Sequence, residues 1–218
     1  MFLVQPYGLI ILTAVVLGYS LFRRRVSSLS ITPKQQETLL LFVLVFGLVG
    51  ARLYHVLTEY YRYQGNWIQV LWWWKGGLGI YGAVLGAIAA GAIFSRRNQI
   101  SLLLLLDAAV PCLLLGQSVG RLANVINEEL LPFAWYDALL CLFLSAGIIL
   151  LEGYFRFRLG SGKVTAGYLI GYGTGRFFLE MFRVPRLWLG LVSFTQLVSL
   201  MFVLVGIYLF KHLDRIFN

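Results

Sequence analysis

Seven apolar runs dominate this chain. They fall at roughly 2–22, 38–57, 78–95, 102–123, 134–152, 164–182 and 190–210. Each comes close to the ~20 residues that a helix needs to cross the hydrocarbon core of a bilayer. Lipid offers the backbone no hydrogen-bonding partners, so runs of this length are helical when they span it. The reading is an all-α integral membrane protein, one transmembrane domain over 1–218 with seven transmembrane helices in a single bundle. Composition agrees, with 60% hydrophobic residues and 12% charged, against about 25% charged in soluble domains. The first run lacks a basic n-region, and Arg23, Arg24 and Arg25 follow it. It therefore reads as a retained span and not as a cleaved leader.

The net charge of +9 raises nucleic acid as a partner, and position argues against it: the basic residues sit at the ends of apolar runs and form no stripe. With the N-terminus outside, the inner loops hold eleven cations: Arg23, Arg24, Arg25, Lys34, Arg96, Arg97, Arg156, Arg158, Lys163, Lys211 and Arg215. The outer segments hold four: Arg62, Lys75, Arg183 and Arg186. By the positive-inside rule the C-terminus is then cytoplasmic. The stretch YYRYQGNWIQVLWWWKGG (60–77) falls outside, and its Tyr and Trp content predicts an interfacial segment over about 58–77.

Small residues recur at helical spacing, Gly82 and Gly86 in the third run and Gly167, Gly171 and Gly175 in the sixth. Such a pattern lets membrane helices approach closely. Cys112 and Cys141 lie inside apolar runs without ligand spacing and read as buried thiols. His55 and His212 are isolated, and no HExxH, P-loop, GxSxG elbow or Cys/His cluster occurs. The sequence thus offers no metal site, no cofactor motif and no nucleotide site.

Polar residues inside the apolar runs are costly and by default functional. Two clusters stand out. In GRLANVINEE (120–129), Arg121, Asn124 and Glu128 fall on one helical face at i, i+3 and i+7, with Gly116 and Gly120 leaving room beside them. Asp107 and Gln117 lie upstream of it, and Pro111 between them frees a backbone carbonyl and introduces a kink. In YGTGRFFLEMFR (172–183), Tyr172, Arg176, Glu180 and Arg183 form a second stripe. Both clusters lie toward the outer end of their runs, so two arginines from different helices can meet one ligand at headgroup level. Arginine keeps its charge and offers a planar fork of donors to phosphate. On chemistry alone this is a phospholipid-headgroup site, the bland alternative being interhelical salt bridges that only fix the bundle.

At these residues the sequence resembles the prolipoprotein diacylglyceryl transferase family of bacterial lipoprotein maturation. GRLANVINEE is similar to the family signature GRxxNFINxE, with Val125 for the usual Phe. YGTGRFFLEMFR matches YGxxRFxxExxR without change. WYDALL (135–140) resembles the LYE segment, with Asp137 for Glu. GLGIYGAVLG (77–86), GARLYHVL (50–57), PYGLI (6–10) and SFTQLVSL (193–200) resemble further family segments in order. Only LLPFA (130–134) separates NEE from WYD, where family members carry a longer outer insertion.

The resemblance implies transfer of the diacylglyceryl group of phosphatidylglycerol to the lipobox cysteine of a prolipoprotein. A thioether forms and glycerol phosphate leaves, in the bacterial cytoplasmic (inner) membrane. By motif position Arg121 and Arg176 hold the phosphate. Gly120, Asn124, Asn127 and Glu129 shape the headgroup pocket, Glu180 and Arg183 orient the second arginine, and Tyr7 and Tyr172 line the cavity. The proton acceptor stays open among Tyr81, Glu129 and the lipid's own phosphate. The competing expectations are a phospholipid-binding paralogue of the same fold without activity and, less favoured, a small transporter.

Overall fold

The computed structural model describes residues 6–27, 29, 31–126, 131–155, 159–182 and 192–217, residues 6, 7 and 213–217 by backbone alone. Among these residues the structure is helical with no strand. Seven α-helices follow in chain order: α1 (Pro6–Val26), α2 (Pro33–Thr58), α3 (Ile80–Asn98), α4 (Leu102–Ile126), α5 (Phe133–Phe155), α6 (Lys163–Met181) and α7 (Phe194–Phe217). Each coincides with one apolar run. Among the described residues, four are long and apolar enough to cross a membrane: α2, α4, α5 and α7 over Phe194–His212.

The helices differ from the apolar runs at their ends, for local reasons. Helix α2 starts five residues before its run because Thr32 and Gln35 form a reciprocal capping box and Pro33 occupies the first turn, where its missing N–H costs nothing. Helix α1 runs on through Arg23, Arg24 and Arg25, expected in a loop; they form its last turn, where cations oppose the partial negative charge of the helix end.

The chain divides into two compact units. One comprises Leu29–Leu102, hence α2, α3 and the segment joining them. Here α2 and α3 touch through backbone. A Cβ on Gly82 would collide with the carbonyl of Gly50, and one on Gly86 with that of Phe46. The Gly79 N–H donates to the Ala51 carbonyl at 2.9 Å. The small residues expected to mark a close contact at Gly82 and Gly86 do so, with Gly50 as their counterpart. The joining segment is three short 3-10 turns, Tyr60–Tyr63, Trp67–Leu71 and Trp73–Lys75.

The other unit comprises Met1–Ser28 and Leu103–Asn218, and α4 is its most buried helix. Buried Val110, Leu114, Cys141 and Val164 form its core, with Leu144, Ile148, Tyr168 and Tyr172 packed on them. Two serines fasten α4 to α5: Ser118 Oγ donates to the Ala138 carbonyl at 2.8 Å, and Ser145 Oγ to the Pro111 carbonyl at 2.9 Å. Helix α6 meets α7 at Gly173, where a Cβ would lie 2.7 Å from the Ser199 carbonyl, and it meets α5 at Gly175, opposite Leu140. Of the expected glycine stripe, Gly171 and Gly175 face α5, whereas Gly167 has open space.

Pro111 organises the far end of α4. A proline cannot donate to the carbonyl four residues earlier, which here belongs to Asp107. Arg25 takes up that carbonyl, donating to it from Nη2 at 3.1 Å and to the Ala108 carbonyl from Nε at 3.0 Å, and it pairs with Glu152 at 2.8 Å. The Asp107 carboxylate, fully buried, accepts from the N–H groups of Gly160, Gly162 and Thr165 and from the Thr165 hydroxyl at 2.7–3.0 Å. One aspartate thus ties the start of α6 to α4, and Gly160 and Gly162, at φ of 92° and 76°, supply the left-handed turn that presents those donors.

Candidate active site

The candidate site forms where the C-terminal ends of α4 and α6 and the start of α5 come together. Arg121 lies on α4 one turn after Ser118, and Asp137 lies on α5 next to Ala138, so the Ser118–Ala138 hydrogen bond sets these two helices beside the charges. Arg176 follows Gly175, whose lack of a side chain admits Leu140 of α5. Close packing at that point brings the α6 guanidinium to the α5 carboxylate.

Asp137 is the hub. Arg176 Nη1 donates to its Oδ1 at 2.5 Å, and Arg121 Nε lies 3.5 Å from its Oδ2. Arg176 Nη2 also donates to Glu180 Oε2, one turn along α6, at 3.4 Å. The side chains of Arg176, Asp137 and Glu180 are only 11%, 8% and 9% exposed, whereas that of Arg121 is 32% exposed. Arg176 is therefore the fixed member of the pair and Arg121 the accessible one. Charges buried this deeply survive only when paired, and two guanidiniums sharing one carboxylate leave donors to spare for a second anion.

Around this hub Tyr172 lies one turn before Arg176 and stacks on Tyr168, ring centroids 5.4 Å apart. Gln117 accepts from the Cys141 thiol at 3.8 Å beneath it. Asn124 is half-buried one turn beyond Arg121. Gly120 faces α1, where a Cβ would just touch Ile11. Phe133, Tyr136, Leu179 and Phe182 line an apolar cleft of about 360 Å³ between α5 and α6, beside Asp137 and Glu180 in the chain.

The structure thus brings Arg121 and Arg176 to one carboxylate, joins Glu180 to Arg176 and sets Tyr172 one turn away on α6. Tyr81 lies on α3 in the other unit, more than one-third exposed, with its ring 5.8 Å from that of Tyr54. Asn127, Glu128, Glu129 and Arg183 lie outside the described residues, as does the side chain of Tyr7. Asp137 is the member of this cluster that sequence reasoning missed. WYDALL carried it only as a point of resemblance. The available signal was an acid near the start of an apolar run, where an unpaired charge is untenable. Arg52, also inside a run, has a different role. Its Nε and both Nη groups donate to the carbonyls of Val70, Gly76, Gly77 and Gln69 at 2.6–3.0 Å. It holds the α2–α3 segment in shape.

Comparison with known proteins gives a consistent result. The family model described as prolipoprotein diacylglyceryl transferase matches residues 1–132 and 130–212. A protein of Gloeobacter violaceus, named phosphatidylglycerol–prolipoprotein diacylglyceryl transferase, is 33% identical over 94% of this chain and 87% of its own length. Proteins of the same name from Synechocystis and Clostridium novyi are 32% and 29% identical over 94% of this chain, and over 83% and 90% of their own lengths.

Proposed function

The chain belongs to the prolipoprotein diacylglyceryl transferase family, and on that premise we propose that it moves the diacylglyceryl group of phosphatidylglycerol onto the lipobox cysteine of a prolipoprotein, with Arg121 and Arg176 receiving the phosphate. The observation that carries this assignment is the arginine pair of α4 and α6 joined through Asp137. The names of the relatives favour a transferase over an inactive lipid-binding paralogue or a transporter.

In the reaction, the cysteine thiolate attacks the diacylglyceryl carbon that bears the phosphoester oxygen. A C–S bond forms, the C–O bond breaks, and the bonding pair leaves with glycerol phosphate. Charge grows on the phosphate as the bond breaks. Guanidiniums already held in position stabilise that charge without reorganising at the moment of reaction. Asp137 and Glu180 fix Arg176, while Arg121, more exposed and more loosely paired, closes on the incoming headgroup. By motif position, Asn124 and Asn127 are assigned to the glycerol hydroxyls, Glu129 to the headgroup pocket, Tyr7 and Tyr172 to its lining, Gly120 to the space it needs, and Arg183 to bracing the second stripe. The thiol proton goes to Tyr81, to Glu129 or to a phosphate oxygen, since the thiolate is the nucleophile. Holding lipid and peptide in one cavity supplies much of the rate by itself.

The cysteine of a prolipoprotein lies beside its signal segment, so we place the site at the outer face of the bacterial cytoplasmic membrane. In this arrangement all seven helices span, with the N-terminus outside and the C-terminus in the cytoplasm. Expression in cells depleted of their own transferase tests the assignment. A lipid-dependent mobility shift of a lipoprotein substrate is expected. No shift from well-expressed protein would count against it.

A further inference from the structure

A second cationic site lies in the α2–α3 unit, built wholly from residues 52–77. A pocket of about 220 Å³ is lined by Arg52, His55, Arg62, Tyr63, Gln69, Trp72, Lys75, Gly76 and Gly77. Its floor is Arg52, whose hydrogen bonds to four carbonyls shape the loop around it yet involve no carboxylate. Its guanidinium also lies over the Tyr63 ring, 5.3 Å from the centroid, and Tyr63 in turn shares a 2.9 Å hydrogen bond with His55 Nδ1. The rim holds Lys75, with its ammonium 4.0 Å from the Trp72 centroid, and Arg62, whose Nε pairs with Glu59 at 2.9 Å. Three positive charges, of Arg52, Arg62 and Lys75, therefore stand against the one carboxylate of Glu59, a surplus of two. Arg62 and Lys75 are exposed and able to turn toward a ligand.

Size and setting identify the ligand. Pockets for drug-sized molecules measure about 300–1,000 Å³, so this one suits a headgroup and not an acyl chain. Directly beside it Trp67, Ile68, Leu71 and Trp74 are each more than 60% exposed, the mark of a segment seated at the membrane–water interface. The anion met at that depth is a lipid phosphate. We propose that this pocket is a second anion site, taking the phosphate of an anionic glycerophospholipid headgroup through Arg62 and Lys75 over the fixed charge of Arg52. It shares no residue with the Arg121–Asp137–Arg176 cluster and does not rest on the transferase reading.

Lys75 reports on the site directly. Purified protein in neutral detergent is treated with an amine-reactive acetylating reagent, and Lys75 is followed by peptide mass spectrometry beside Lys34, an exposed lysine outside the pocket. Short-chain phosphatidylglycerol is expected to slow labelling of Lys75 by a factor of 1 + [L]/Kd, about tenfold at ten times Kd, and to leave Lys34 unchanged. Arg62→Gln, a change at an exposed position, is expected to raise the half-protecting concentration about fivefold. Arg121→Ala is expected to leave protection intact, which separates this site from the transferase site. Equal protection by glycerol phosphate upholds the anion site and assigns it to soluble phosphates. Equal protection by short-chain phosphatidylcholine, whose trimethylammonium group the cluster repels, overturns the proposal. So does the absence of protection by any phosphate.

Discussion

Asp137 joins two arginines from helices that are distant in sequence, and its replacement separates structural from chemical roles. Asp137→Asn leaves Arg176 buried with Glu180 at 3.4 Å as its carboxylate neighbour among the described residues. Removing one partner of a buried pair costs about 3–5 kcal/mol, so the variant is expected to melt well below wild type in detergent. Asp137→Glu keeps the charge and is expected to restore both stability and transfer. Arg121→Lys keeps the charge and loses the fork. Transfer is expected to fall about 10²–10³-fold, as when one preorganised donor is removed from a site of developing charge, with little change in melting because Arg121 is the exposed and loosely paired member. Equal losses of stability in Arg121→Lys and Asp137→Asn would remove this distinction. Arg121 and Arg176 were legible in the sequence because a permanent charge inside an apolar run needs a reason. The role of Asp137 was not, since its partner lies 39 residues away and no helical spacing connects them.

At the scale of the elements, the seven apolar runs became seven helices, because a helix lets each run satisfy its backbone hydrogen bonds internally. Their ends were less legible: the start of α2 is set by a capping box and the end of α1 by the helix dipole and Arg25, features that hydropathy does not record. Asp107 was visible as a polar residue upstream of the signature, but its work lies in the turn before α6. Asp107→Ala strands three backbone donors, each costing about 1–3 kcal/mol when buried and unpaired. It is expected to destabilise the α4–α6 junction strongly. Glycines that look alike also diverge. Gly82→Ala drives a methyl group into the Gly50 carbonyl, whereas Gly167→Ala meets open space and removes the helix penalty of glycine, about 0.5–1 kcal/mol. Thermal melts should therefore move in opposite directions, and a stabilised Gly82→Ala would contradict the close α2–α3 contact.

For the whole molecule, the distribution of charge predicts the orientation that the site requires. Both native cysteines are buried, so a cysteine introduced at an exposed position reports on its own side of the membrane. Gln64→Cys is expected to react with an impermeant maleimide in intact cells, and Lys34→Cys only after permeabilisation. The reverse pattern would contradict the orientation read from the charges. The central claim is that the arginine pair held by Asp137 carries the transfer, and its most direct measurement uses purified protein, phosphatidylglycerol and a lipobox peptide, with the thioether product detected by mass spectrometry. Wild type is expected to form diacylglyceryl peptide and release glycerol phosphate, while Arg121→Ala and Arg176→Ala, present in the membrane, form none. Undiminished product from both variants, or none from folded wild type, would contradict it.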